Sequence, residues 1–305
     1  MDGQHERHHR CTSPVELLMV TRNLRPFQYQ LGDLVFGAHT QYPVFGVKPQ
    51  SYNVKDQDSQ VPLADETRMG QDTLQGTPIT FTIGVKDNAP VSYIAGILPA
   101  DLVLKSSRLL TALQKEWKAD DVRKQWGELK PLIFCDGYGS TRRIYGRPRK
   151  FDYTRKTQTS QFHKVTAEYA RIDTLSYDDT ETVVSLINDA EPVYYTRAGG
   201  DAQAWYRILL YGPMHNPVID VGVDNFIFNG DILAGDFVEI SSYPWQRRVI
   251  SNHGINLRTK LIGNTKYLDQ PKLPPNTSIP MSWSATLTGV DSKCLVVWRD
   301  AYHIF

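Results

Sequence analysis

Histidine pairs, clustered carboxylates and mixed basic and aromatic runs are the residue types here that could do chemistry. His5-Glu6-Arg7-His8-His9 matches H-E-x-x-H, the pattern in which two histidines one helical turn apart hold zinc beside a general-base glutamate. That chemistry needs a rigid helix and a third ligand. Here the motif lies in the polar stretch of residues 1–14, without an apolar face and with Pro14 soon after. A solvated or partner-held arm is the reading, and no metal is expected. His39, His163, His215, His253 and His303 stand alone, and lone histidines are ordinarily surface or core groups. Asp173, Asp178, Asp179 and Glu181 are the densest carboxylates. They show neither the spaced pair that glycoside hydrolysis uses nor the alternating oxygen ligands and central glycine of a calcium loop. They read as a solvated linker.

Other chemistry-bearing patterns are missing. There is no Gly-x-Ser-x-Gly elbow, no Walker loop and no Gly-x-Gly-x-x-Gly between strand and helix. Asp136-Gly-Tyr-Gly139 reads as a turn. No catalytic set and no cofactor site emerges, so the chain is not expected to be an enzyme. The stretch from Tyr138 to Lys156 interleaves basic residues with Tyr138, Tyr145, Phe151 and Tyr153. Such a mixture can stack on nucleic acid or build a protein interface, where Arg and Tyr are enriched. With 34 basic against 33 acidic residues, net +1, a protein contact is favoured over nucleic acid. Tyr138, Arg142, Arg143, Tyr145 and Arg147 are the candidate interface residues. Alanine at Tyr145 and Arg147 is expected to weaken assembly more than monomer folding. Trp205, Tyr243 and Trp245 offer a sugar-stacking platform, for which core packing is the plainer account.

The elements that would position these residues are mainly strands. At 305 residues the chain is long enough for two domains. Ile79, Phe81, Ile83 and Val85 alternate with Thr80, Thr82 and Gly84, the period of a half-buried strand. Leu102, Leu109, Leu110, Leu113 and Trp117 have helical spacing and predict a helix over 100–126, with a break around 119–121 and a stop at Gly127. Val122 and Trp126 are expected to continue its apolar stripe. Short strands follow at 132–135, 142–145 and 162–172, with turns at Asp136-Gly137 and Gly146-Arg-Pro148. Beyond a polar boundary at 176–181, runs at 204–211, 218–223, 225–228, 236–241, 246–250, 277–287 and 293–298 predict a helix-free β-sandwich. Three scattered cysteines, Cys11, Cys135 and Cys294, fit a reducing compartment rather than a disulfide framework. No run approaches the ~18 apolar residues of a membrane helix, so a soluble protein without a membrane partner is expected.

In order, these segments resemble the distal tail protein family of long-tailed bacteriophages. The resemblance covers roughly residues 27–305. It is carried by Phe36-Gly37, Val44-Phe-Gly-Val47, Asp56-Gln-Asp58, Pro62-Leu-Ala-Asp65, Gly70-Gln-Asp72, the helix with Trp117, and Tyr145-Gly-Arg-Pro148. Farther on it rests on Gly212-Pro-Met-His-Asn-Pro217, Gly235-Asp-Phe-Val-Glu-Ile240, Leu273-Pro-Pro-Asn276, Ile279-Pro-Met-Ser-Trp283 and Val297-Trp-Arg-Asp-Ala-Tyr302. The resemblance implies a mainly β fold in three parts: an arm at 1–26, a ring-forming belt with one helix at 27–177, and a galectin-like sandwich at 178–305. It implies a structural hub at the distal end of the virion tail, made in the host cytoplasm. Its expected partners are copies of itself in a six-membered ring, the tail tube protein, the tip or tail-associated fibre protein, and receptor-binding proteins. Nucleic acid would only pass through the channel. The alternatives are a carbohydrate-binding host-attachment module and a tail-associated hydrolase.

Overall fold

The computed structural model describes residues 23–48, 52–60, 67–70, 72–86, 99–155, 162–268 and 271–303. The H-E-x-x-H stretch, Cys11 and Pro62–Asp65 lie outside these residues. Among the described residues the chain divides into two compact units: Thr180–Asp300, and residues 23–179 together with 301–303.

In the first unit the strands are β1 (Gln28–Leu31), β2 (Leu34–Gly37), β3 (Val44–Val47), β4 (Tyr52–Lys55), β5 (Ser59–Gln60), β6 (Thr67–Arg68), β7 (Thr73–Gly76) and β8 (Ile79–Val85). Helices α1 (Pro99–Lys118) and α2 (Asp120–Arg123) follow, then β9 (Leu132–Cys135), β10 (Thr141–Ile144), β11 (Gly146–Arg155), β12 (His163–Arg171) and β13 (Ser176–Asp178). One sheet runs β2-β1-β9-β10-β13 and ends on the terminal strand Ala301–Tyr302; the other runs β11-β12-β8-β3. The division of the sequence at 177/178 does not include that return, in which Ala301 and Tyr302 pair with Tyr177 and Ser176.

The two sheets and α1 bury a common core. Alternation works as the sequence implies: Ile79, Phe81 and Ile83 are wholly buried on β8, as are Val165, Ala167 and Tyr169 on β12. Leu110, Leu113 and Trp117 place the apolar stripe of α1 in the same cluster. The Trp117 ring meets Phe36 and Phe81 edge-on at 5.8 and 6.0 Å, and its Nε1 donates to the Glu168 carbonyl at 3.0 Å. Burial of such a ring, with its N–H satisfied, is worth several times a neutral surface contact.

The helix stops sooner than its periodicity suggests. Ala119 is left-handed, φ 47°, a conformation that costs alanine roughly 1–2 kcal/mol, and α2 runs only to Arg123. A break resets the phase of the apolar stripe. Val122 is half-buried, but Trp126 is fully exposed, which corrects its placement on the buried face. The expected turn at Gly146–Pro148 is also different: β11 begins at Gly146. A Cβ there would run into the Ala170 carbonyl, so glycine is what lets β11 approach β12. Pro148 sits where the pairing register shifts, on the edge strand of its sheet, where a missing N–H costs least.

The second unit contains β14 (Thr182–Leu186), β15 (Asp189–Thr196), β16 (Ala204–Tyr211), β17 (Met214–His215), β18 (Val218–Val221), β19 (Asp224–Phe228), β20 (Asp231–Ile232), β21 (Phe237–Ser241) and β22 (Arg248–Ser251). It is completed by β23 (Leu261–Ile262), β24 (Lys272–Leu273), β25 (Ser278–Ser284), β26 (Leu287–Thr288) and β27 (Lys293–Trp298). Sheets β14-β27-β16-β21-β22 and β15-β25-β18-β19-β23 are joined by a small sheet β20-β17-β26. Tyr206 and Phe226 meet edge-on between the two large sheets at 6.1 Å, and Trp283 Nε1 donates to the Leu186 carbonyl at 3.1 Å. The mainly β architecture with one principal helix is thus the fold present, and it includes two strands, β14 and β15, that the polar boundary concealed.

Candidate assembly interface

The five candidate residues separate into two groups. Tyr138 crowns the β9–β10 hairpin, fully exposed. The Asp136 carboxylate accepts from the Tyr138 and Ser140 amides, both at 2.9 Å, an Asx-type tie that fixes the tip. Phe27, also exposed, lies beside it, close enough for a Cβ on Gly137 to touch its ring. Arg142 is half-buried, its guanidinium 3.9 Å above the Tyr302 ring and 3.8 Å from Asp136.

Arg143 and Tyr145 face inward. Tyr145 packs edge-on to Tyr177 at 5.5 Å, and Arg143 pairs with Asp179 through Nε and Nη2. Burial opposes the Arg143 charge, but Tyr145 and Asp179 outweigh it and hold the pKa above the usual arginine value. Both residues are buried, so Tyr145→Ala acts on the fold of the monomer as well as on any assembly.

Arg147 has a different task. Its Nη2 donates to the Gln125 carbonyl at 2.8 Å and its Nε to that of Glu128. The guanidinium thereby holds both sides of the loop that displays Trp126. Arg147→Ala is expected to leave folding within about 1 kcal/mol of the parent, because the group is partly exposed. It should raise amide hydrogen exchange across 124–129; unchanged exchange there would disprove the clamp.

A larger unpartnered feature is the ribbon that continues β3 and β8 outward. β4 pairs with β7 and β5 with β6, and neither pair has a third strand among the described residues. Val54 and Met69 are exposed along it. An isolated two-stranded ribbon is marginal in water and carries open edges.

The clustered carboxylates are half-buried and partnered. Asp179 holds Arg143, Glu181 holds Arg207 at 2.7 Å and Arg299 at 3.3 Å, Asp178 accepts from the Tyr302 hydroxyl, and Asp173 from that of Tyr177. The linker reading is corrected accordingly. Nor do Trp205, Tyr243 and Trp245 form an open platform, since Trp205 and Tyr243 are buried. His215 and His253 pair with Asp231 and Asp236, and His163 lies buried 3.4 Å from Ser106. Among the described residues no three His, Cys, Asp or Glu gather as metal ligands. No described helix is long and apolar enough to cross a membrane.

Asp224 is a half-buried carboxylate pushed upward. Burial raises its pKa, against the lowering effect of the Tyr206 hydroxyl that donates to it at 2.9 Å. A raised folded pKa means that its contribution is full below the unfolded pKa and is lost as pH climbs through the folded one. Asp224→Asn keeps an oxygen for Tyr206 and should raise the melting temperature of the second unit near neutral pH. At about pH 3, below the ordinary aspartate value, the gain should vanish. Equal gains at both pH values would refute this.

No family model and no curated protein matches the chain. Solved structures do. The Dit protein (gp 19.1) of SPP1, described as a paradigm of the hub adsorption apparatus in Gram-positive infecting phages, aligns at TM-score 0.60 and 13% identity. The alignment takes in 91% of this chain and 99% of that one, and so spans both units. The chain has the distal-tail-protein fold. The same fold aligns with a chain of the phage P2 baseplate in its activated conformation with calcium, TM-score 0.52 at 8% identity, over 88% of this chain and 97% of the other. The strontium form of that baseplate gives 0.51 at the same identity and coverage. The distal-tail fold is therefore matched along nearly its whole length, and the order of turns and strands carried that resemblance at an identity too low for pairwise recognition.

Trp126, Phe45 and Phe162 are among the exposed residues that sequence reasoning missed. For Trp126 a signal existed: past the break at Ala119, only Val122 offers an apolar neighbour at helical spacing, and Gly127 follows.

Proposed function

We propose that this chain is a structural hub of a phage tail tip. Copies of it, six by the family resemblance, would close into a ring that joins the tail tube to the tip or tail-associated fibre protein. The second unit, galectin-like by the same resemblance, would stand as a support for host-recognition proteins. The observation that carries the reading is the alignment with SPP1 Dit across 99% of that protein, both units included. The open ribbon β4–β7 and β5–β6 supports it physically, because a neighbouring subunit would supply the missing partner for its edges. A hub of this kind turns over no substrate; fold alone does not carry sugar binding into the second unit.

Purified protein, alone and with tail tube protein, is expected to form closed rings visible by negative stain and as a discrete mass by mass photometry. A folded chain that stays monomeric under both conditions would sink the proposal.

A further inference from the structure

The β9–β10 hairpin carries exposed aromatic residues at each end. At its tip Tyr138 is 98% exposed, on a turn fixed by the Asp136 carboxylate. Phe27, 62% exposed, has its ring against Gly137 of the same tip. Its backbone is left-handed, φ 63°, a conformation that a residue with a Cβ adopts only under constraint. Two hydrogen bonds hold it: the Phe27 amide donates to the Cys135 carbonyl at 3.0 Å, and the Ala38 amide donates to the Phe27 carbonyl at 3.1 Å. Gly37 makes the second bond possible, since a Cβ there would stand 2.3 Å from that carbonyl oxygen. This strain brings the ring no burial, and strain held at an exposed side chain points to function. At the base of the hairpin Leu132 pairs with Ile144, and the Lys130 amide donates to the Gly146 carbonyl at 2.9 Å. The loop leading into that base displays Trp126, fully exposed, with its carbonyls at Gln125 and Glu128 held by Arg147. Strands of four residues, Leu132–Cys135 and Thr141–Ile144, separate tip from base, roughly 10–13 Å. The tryptophan and the Phe27–Tyr138 corner therefore lie at opposite ends of one hairpin.

We infer that Trp126 of one copy docks against the Phe27–Tyr138 corner of the next copy, head to tail. This contact rests on the ring reading, which it deepens by naming what closes the ring. A cyclic assembly beyond a dimer needs two different, complementary surfaces on one subunit, and this unit carries such a pair. The chemistry matches: an indole packs edge-on or offset against aromatic rings. The rims offer opposite charges, with Arg25 exposed beside Phe27 and Glu128 exposed beside Trp126. Both surfaces are already fixed, one through Asp136 and Cys135 and the other through Arg147, so little ordering remains to be done on association. Tryptophan and tyrosine are enriched among interface anchors.

Trp126→Ala is expected to weaken self-association on the order of 100-fold, the scale of a central anchor, with an unchanged melting curve because the ring lies in solvent. Phe27→Ala with Tyr138→Ala should do the same; if that pair melts early, Tyr138→Ala alone replaces it. The deciding measurement mixes the two variants and weighs the products by mass photometry. Each variant retains the half of the contact that the other lacks, so the mixture should give dimers that cannot extend, and neither variant alone should. Where the parent closes only with tail tube protein, the same comparison is run in its presence. Full rings from the mixture, or no dimers, would overturn the inference. Trp126→Ala forming rings like the parent would also overturn it, freeing the tryptophan for another tail protein and leaving the hub reading intact. A folded parent that never associates, alone or with tail tube protein, would end both.

Discussion

Arg197→Met is expected to destabilise the second unit by about 3–5 kcal/mol, the cost of breaking a buried ion pair from one side. The Arg197 side chain is almost wholly buried; its Nε donates to Asp300 at 2.6 Å, and its Nη1 to the carbonyls of Ala202 and Leu273 at 2.7 and 2.9 Å. Methionine fills much of the volume but returns none of these donors, leaving a largely desolvated carboxylate and two buried carbonyls without that partner. Trp298 Nε1 still reaches Asp300 at 3.2 Å, which compensates little of a full charge. For a unit of this size the loss corresponds to a fall in melting temperature of roughly 10–20 °C. Asp300→Asn in the same chain should recover part of it, because the stranded charge is gone. Calorimetry resolves the transition concerned, and a fall of less than about 3 °C would show that the guanidinium contributes no more than a surface pair.

That ion pair explains why the sequence was legible in some places and not in others. Strands whose burial follows simple alternation were readable from residue order alone: Ile79–Val85, Ala204–Tyr211 and Lys293–Trp298 occupy the expected ranges. The helix was readable while its stripe kept phase, and was lost where the left-handed Ala119 reset it. The reading of the acidic stretch as solvated failed for a different reason. Asp179 and Glu181 look solvated because their partners, Arg143, Arg207 and Arg299, are distant in sequence, and periodicity carries no information about distant charge pairing. It concealed β14, which begins directly after those residues, and β15, which follows at Asp189. The candidate interface suffered the same ambiguity in another form. Basic residues interleaved with tyrosines suit both an exposed contact and a buried network, and only the pairing of β10 with β13 decides which side chains turn inward.

Tyr145 and Trp126 separate these two roles experimentally. Tyr145→Ala is expected to destabilise the first unit by about 3–5 kcal/mol, the range for emptying a buried aromatic site. The ring is buried against Tyr177 and hydrogen-bonds the Arg143 side chain, so its removal leaves a cavity and loosens the grip of Arg143 on Asp179. Tyr145→Phe preserves the packing and should cost only about 1 kcal/mol, the worth of one ordinary hydrogen bond. Denaturant titration of the monomer, at concentrations where Trp126→Ala and the parent give superimposable curves, isolates the folding term from any assembly term. In that titration Tyr145→Ala should shift its midpoint far to lower denaturant, while Tyr138→Ala, altering a wholly exposed ring, should not move it. A Tyr145→Ala chain that unfolds like the parent yet fails to form rings would return Tyr145 to the interface and show that the β10–β13 pairing is not what holds it.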